Sequence, residues 1–339
     1  MHKNSPIRAA VVGASGYTGA ELMRYLISHP QVHLGACLAN QQAGEDIAQV
    51  YPNLLGRVTG KFEKADYGAL GNEHDVVFLC LPHGQSQGPV EELVSTGCKV
   101  VDLGADFRFA DAEAYRRTYG ESHQCPELLK KAVYGMPEMN RASIASAQLI
   151  ANPGCYPTAS LLALLPLIKT QGLDSTVIMD AKSGVSGAGR SAKFSSLYCE
   201  VNESVKAYGV GEHRHGPEIE QFARQPVLFT PHLIPMTRGI LATVYIQKDP
   251  EELKTLYTEF YSEEPFVQVL DSGLPSTRSV AGTNRCHLAV CPAHHPGYTI
   301  VVSAIDNLGK GAAGTAVHNL NLLFQLPEET GLESLALAP

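Results

Sequence analysis

The segment Gly13-Ala14-Ser15-Gly16-Tyr17-Thr18-Gly19 follows a short apolar run, Ile7 to Val12, and precedes a stretch in which Leu22, Tyr25 and Leu26 recur at helical spacing. A strand that ends in a Gly-rich turn and opens a helix begins a βα unit, whose backbone N–H groups and helix N-terminus can hold a pyrophosphate. The spacing is G-x-x-G-x-x-G rather than the G-x-G-x-x-G of the dinucleotide fingerprint, so the turn alone is also compatible with a ligand-free βα connection. Apolar runs at Leu34 to Ala39, Asp75 to Leu81 and Lys99 to Leu103, with a helical pattern from Gly88 to Thr96, continue the alternation of strand and helix. That alternation predicts a parallel, doubly wound sheet.

The texture changes after Asn152-Pro153-Gly154. A helix is expected from Thr158 to Lys169, then strands at Thr176 to Ala181, Val227 to Leu233 and Ile240 to Gln247. A helix from Pro250 to Ser262 and strands at Phe266 to Leu270 and Ile300 to Ala304 complete the pattern. Long strands with few intervening helices predict an α+β domain with an antiparallel or mixed sheet. The last periodic segment, Ala312 to Phe324, is expected to pack back on the first domain.

Composition bounds the partners. A chain of 339 residues has room for two domains at roughly 150 residues each. With 44% hydrophobic and 18% charged residues it can bury a core. Its net charge of −8 and lack of a basic stretch argue against nucleic acid as a partner. Its apolar runs are far shorter than the roughly 20 residues that span a bilayer, and no leader-like segment precedes the first strand, so a cytoplasmic location is expected. Eight cysteines without a Cys-x-x-Cys pair read as thiols rather than a disulfide framework.

One of those thiols is placed for chemistry. Cys155 lies between the Asn152-Pro153-Gly154 turn and a helix expected to begin near Pro157 or Thr158, where the positive potential of a helix N-terminus favours the thiolate. It is the expected nucleophile. Glu212-His213-Arg214-His215-Gly216-Pro217-Glu218-Ile219 supplies two imidazoles in a loop before another helix, with Gly216 read as its cap and Pro217 as its first residue. Either His213 or His215 could exchange the proton. A metal site is disfavoured, because the two histidines lack a third ligand pattern and His294-His295 sits in a separate loop.

Ser183-Gly184-Val185-Ser186-Gly187-Ala188-Gly189-Arg190 is a second Gly-rich loop with amides, hydroxyls and a guanidinium suited to an anion or a nicotinamide carboxamide. Arg108 and Arg238 are further candidates for an acidic substrate. At the end of the second strand, where NAD enzymes place an acid for the ribose, Ala39-Asn40-Gln41-Gln42 stand instead. No carboxylate repels a 2′-phosphate there, which favours NADP, yet no arginine is present to grip it.

Taken together and in order, Gly13 to Gly19, Asn152 to Thr158, Ser183 to Arg190, His213 to Ile219, Thr230 to Leu233 with Pro235 to Gly239, and Asp306 to Ala313 resemble the N-acetyl-gamma-glutamyl-phosphate reductases, which serve arginine biosynthesis. The resemblance spans nearly the whole chain and is most specific in the Pro-Gly-Cys-Tyr-Pro-Thr and His-Arg-His-x-Pro-Glu-Ile segments. It implies an NADP(H)-dependent reduction of an acyl phosphate through a Cys155 thioester, with His213 as the acid-base group. It also implies a glyceraldehyde-3-phosphate-dehydrogenase-like layout: a Rossmann-type NADP-binding domain of residues 1–152 plus 308–339, and an α+β catalytic and oligomerisation domain of residues 153–307, assembled as a homodimer or homotetramer. Under it, Gly13, Ser15, Gly16, Tyr17, Thr18, Gly19, Ser186, Gly187, Asn307 and Lys310 are expected at the cofactor. Arg108, Asn152, Ser183, Arg190, His215 and Arg238 are expected at the substrate, and no metal is expected. The competing readings are a related acyl-phosphate reductase such as aspartate-semialdehyde dehydrogenase, and a Cys-His acyltransferase.

Overall fold

The computed structural model describes residues 5–173 and 175–337. The chain divides into two compact units, residues 1–153 with 312–333, and residues 154–311 with 334–339.

In the first unit, strands β1 (Ile7–Val12), β2 (Val32–Leu38), β3 (Val76–Leu79), β4 (Lys99–Asp102), β5 (Val133–Tyr134) and β6 (Leu149–Ala151) form one parallel sheet in the order β2-β1-β3-β4-β6-β5. β3 is buried at every position and β1 at its last four, as expected of strands covered on both faces. The core on one side gathers Val12, Leu38, Val77, Leu79, Val90, Leu93 and Val100. Strand order reverses between β2 and β3, which lie on opposite sides of β1, and the crevice outside the carboxyl ends of such strands is where doubly wound sheets hold ligands. Gly13 makes the turn there with φ +76, and a Cβ on it would come within 2.3 Å of the Cys80 carbonyl oxygen, so only glycine fits. The helix Gly314–Leu323 is buried along its whole length and packs within this unit against the helices Tyr17–Ser28 and Pro137–Ala145.

In the second unit, β7 (Val177–Ser183), β8 (Lys206–Ala207), β9 (Val227–Leu233), β10 (Ile240–Ile246), β11 (Val267–Val269), β12 (Cys286–Pro292) and β13 (Thr299–Ile305) form a mixed sheet in the order β11-β12-β13-β10-β7-β9-β8. One face is covered by the largely apolar helix Cys155–Thr170, which meets β10 and β13. The other face leaves Ile178, Leu228 and Tyr245 exposed, and register puts Ile178 level with both Leu228 and Tyr245 on the neighbouring strands.

The α/β class with a parallel sheet followed by a mixed one is the expected architecture. Boundaries differ in two informative places. The helix expected from Thr158 begins at Cys155, and the one expected from Pro217 begins at His215. In both, proline sits in the first turn rather than opening it, because N–H groups of that turn have no acceptor within the helix and their absence costs nothing.

Candidate active site

Cys155 is the first residue of a 16-residue helix whose N-cap, Gly154, is extended at φ −67 and ψ 153 and lacks a side-chain cap. The sulfur is therefore carried where the helix dipole favours negative charge. Two distant groups fix this corner. The N–H of Gly154 donates to Glu218 Oε1 at 3.0 Å, and Glu218 is almost fully buried. A Cβ on Gly311 would lie 2.9 Å from Cys155 Cβ, so the π-helical turn Gly309–Ala313 closes on Cys155 only because residue 311 has no side chain.

His213 stands in a box of rings: Tyr156 at 5.6 Å between centroids, Tyr208 at 5.4 Å, Phe229 at 5.6 Å and His215 at 4.9 Å. Tyr208 donates to the Tyr156 hydroxyl at 3.2 Å, and Tyr156 donates to the His232 carbonyl at 3.1 Å. Because Tyr156 follows Cys155 directly, this chain of bonds ties the His213 box to the Cys155–Thr170 helix. Burial, and after it the Arg214 charge, push the His213 imidazole down to about 4, so it is neutral near pH 7. The backbone N–H of His215 donates to His213 Nδ1 at 3.1 Å, which leaves the ring proton on Nε2. His215 itself opens the His215–Ala223 helix.

The second Gly-rich loop is strapped down by backbone bonds: Gly184 N–H to Gly239 O at 2.9 Å, Val185 N–H to Met236 O at 2.9 Å and Ser186 N–H to Thr237 O at 3.1 Å. Asn307 joins the same structure, donating from Nδ2 to Ser186 Oγ at 2.9 Å and accepting at Oδ1 from Gly239 N–H at 2.7 Å. Arg238 grips the buried Asp306 with Nε at 2.9 Å and a terminal nitrogen at 3.1 Å. Asp306 also accepts from the N–H groups of Gly282, Leu308 and Gly309. Ser183 Oγ donates to the Gly184 carbonyl at 3.0 Å; Gly187 and Arg190 are exposed; Lys310 is fully buried, its ammonium 5.4 Å from the Phe266 ring.

In the first unit, Arg108 is nearly buried and donates to the carbonyls of Asn152 at 2.8 Å and Leu103 at 2.9 Å. Asn152 is held by Asn319 at 3.1 Å and donates to the Ala312 carbonyl at 3.2 Å. The Gly13 to Gly19 turn is braced by the Tyr51 hydroxyl, which donates to the carbonyls of Ser15 at 2.6 Å and Gly16 at 3.2 Å. The helix it opens has no acidic residue in its first turn and no side-chain cap, an arrangement suited to the phosphates of a dinucleotide. Among the described residues no cluster of three or more His, Cys, Asp or Glu could hold a metal ion.

Tyr51, Tyr156, Tyr208, Glu218, Asp306 and Gly311 were not singled out by sequence reasoning. Glu218 lay inside the His213 to Ile219 segment and Gly311 inside Asp306 to Ala313, but their partners are far away in the chain.

Comparison with known proteins gives the family of the chain. Residues 8–147 match the semialdehyde dehydrogenase NAD binding domain, and residues 155–307 the semialdehyde dehydrogenase dimerisation domain. An N-acetyl-gamma-glutamyl-phosphate reductase of Heliobacterium modesticaldum is 50% identical over 98% of this chain and 100% of its own, and one of Desulforudis audaxviator is equally similar over the same shares. The chain belongs to the N-acetyl-gamma-glutamyl-phosphate reductase family. Solved structures place this reductase family member in a wider fold. Aspartate semialdehyde dehydrogenase II of Vibrio cholerae, complexed with ASA, superposes with a TM-score of 0.73 at 17% identity, covering 95% of this chain and 99% of its own. The aspartate semialdehyde dehydrogenase of Candida albicans with NADP gives 0.71 at 17% identity, covering 94% and 99%. At that identity they show the fold alone. No helix among the described residues is long and apolar enough to cross a membrane.

Proposed function

We propose that the protein reduces N-acetyl-gamma-glutamyl phosphate to N-acetylglutamate 5-semialdehyde with release of phosphate, drawing the hydride from NADPH, as a cytoplasmic step of arginine biosynthesis. The observation that carries this reading is Cys155 at the opening of a buried helix, beside Gly311, in a chain half identical to named reductases of that substrate. The dinucleotide is assigned to the unit with the Gly13 to Gly19 turn, and the thiol chemistry to the unit with the mixed sheet.

The helix N-terminus stabilises the Cys155 thiolate, which adds to the carbonyl carbon of the acyl phosphate. The tetrahedral oxyanion collapses, the C–O bond to phosphate breaks, and a thioester remains on sulfur. When bound, the dinucleotide supplies a hydride to the thioester carbonyl. The resulting alkoxide re-forms a C=O bond, releases the aldehyde and returns the electron pair to Cys155 as thiolate. His213, neutral and carrying its proton on Nε2, is a donor to both oxyanions; held in this tautomer it acts as a preorganised electrophile more than as a base for the thiol. Arg108 and Arg238, each pinned by internal bonds, are assigned to the anionic groups of the substrate, with Ser183, Asn152, Arg190 and His215. Ser186, Gly187, Asn307 and Lys310 are assigned to the cofactor side of the reaction.

The row formed by Ile178, Leu228 and Tyr245 on the open face of the mixed sheet is assigned to the homodimer or homotetramer contact. The purified enzyme tests the function in the reverse direction. With NADP and phosphate, N-acetylglutamate 5-semialdehyde should give a phosphate-dependent rise at the NADPH absorbance band, and aspartate semialdehyde should not. Equal or preferred turnover of aspartate semialdehyde, or no absorbance change with either aldehyde, refutes it.

A further inference from the structure

Among the described residues from Arg24 to Lys64, register sets one cation, Lys64, level with the end of β2. Between Arg24 and Arg57 the chain contains no lysine or arginine, so neither β2 nor the loop that leaves it carries one. The loop offers Asn40, Gln41 and Gln42. Arg24 is engaged with Glu21 at 2.7 Å within the Tyr17–Ser28 helix.

The segment after this loop folds back along the sheet edge. Gly44 N–H bonds to Phe62 O at 2.8 Å and Phe62 N–H to Glu45 O at 2.9 Å, and an isolated antiparallel bridge sets Asp46 against Lys61. The chain then runs parallel to β2: Glu63 N–H bonds to Cys37 O at 3.0 Å and Ala39 N–H to Glu63 O at 3.0 Å, with Leu38 paired to Glu63. One residue further along both segments, Lys64 stands level with Ala39, at the carboxyl end of β2. That is the position where a doubly wound nucleotide domain meets the adenosine ribose. Lys64 is exposed. Arg57 lies beyond the Pro52–Leu54 turn, and Lys61 faces Asp46, so neither is placed by register beside Ala39. The Asp46 carboxylate caps the Ile47–Val50 helix, accepting from Ala48 N–H at 2.9 Å.

We infer that Lys64, with the side-chain amides of Asn40, Gln41 and Gln42, forms the 2′-phosphate site that makes this chain prefer NADPH to NADH. The inference rests on the cofactor reading above and specifies its least obvious contact: the cation comes from the neighbouring edge segment and not from the loop after β2. A dianionic phosphate beside one ammonium gains a charge-assisted contact that NADH cannot make, and being exposed the contact is sensitive to salt.

Fluorescence titration of the purified protein with NADPH and with NADH, without substrate, tests this. Lys64→Gln should weaken NADPH binding by about tenfold, the scale of one charge-assisted hydrogen bond, and leave NADH binding unchanged. Lys64→Arg should retain the preference, and the salt dependence of NADPH binding should flatten in Lys64→Gln. An unchanged ratio of the two affinities in Lys64→Gln, or an equal loss for both nucleotides, overturns the assignment while the cofactor reading stands. Failure of the unaltered protein to bind either nucleotide overturns that reading and the inference with it.

Discussion

Cys155 differs from the other cysteines in where the fold puts its sulfur. Burial raises the Cys37 thiol to about 12 and the Cys98 thiol to about 11, and lifts Cys80 further still. Cys155 is only partly buried and opens a helix, whereas Cys199 is exposed. Iodoacetamide at neutral pH should therefore label Cys155 first, with the exposed Cys199 and the partly buried Cys291 as its early competitors; peptide mass mapping that finds Cys37, Cys80 or Cys98 labelled as fast contradicts this ordering. Cys155→Ser should fold yet lose activity by roughly a hundredfold or more, since the alcohol is scarcely ionised and its ester resists hydride. For His213, the ring box keeps the imidazole neutral well below its ordinary 6.5. The kcat/KM profile should consequently show no acid limb near pH 6.5 from this group, and His213→Ala should lower kcat by roughly 10²- to 10³-fold, as for a lost oxyanion donor. A limb near 6.5 that disappears in His213→Ala would show a titrating base instead.

At the scale of elements, the site depends on three chain segments meeting at one helix terminus. The π-helical turn Gly309–Ala313 reaches Cys155 through Gly311, and the Gly154 N–H is held by Glu218 from the His215–Ala223 helix. Gly311→Ala should preserve the fold by circular dichroism and lower kcat by roughly 10²-fold, the effect of displacing a reacting atom by about an ångström; undiminished kcat would mean the turn moves aside freely. This scale also marks what the sequence could disclose. The Gly13 turn, Cys155 and His213 were legible because each is signalled by its immediate neighbours: strand before, helix after, an uncommon residue between. Glu218 and Gly311 were not, because their meaning lies in contacts with Gly154 and Cys155 that only the folded chain creates. Strand β12 escaped notice for a related reason: its Cys-His-Leu-Ala-Val-Cys-Pro sequence lacks a clean alternation, and pairing with β13 and β11 makes it a strand. The two helices start three and two residues before the positions their sequences suggest, because the first turn tolerates proline without its having to open the helix.

At the scale of the whole molecule, His213 and Glu328 should each withdraw stability on acidification, in two successive stages. His213 is held neutral in the fold, so its contribution is complete above its ordinary 6.5 and fades as pH falls toward about 4. Glu328 is held down to about 2, chiefly by its hydrogen bond with His318 and further by Arg141, against the effect of burial. Its contribution is complete above the ordinary 4.5 and is lost between 4.5 and about 2. Thermal melts across pH should show His213→Ala flattening the first stage and Glu328→Gln the second; a decline that both variants leave unaltered would place the acid-sensitive groups elsewhere. Both stages leave the enzyme intact near neutrality, where its chemistry can be caught midway. Incubating it with NADP and N-acetylglutamate 5-semialdehyde in the absence of phosphate lets hydride leave while nothing can release the acyl group. Intact-protein and peptide mass spectrometry should then find one N-acetylglutamyl group on Cys155, formed with a matching burst of NADPH and discharged when phosphate is added. Steady turnover on adding phosphate with no adduct on Cys155 at any stage, or an adduct on another residue, would contradict the thioester route.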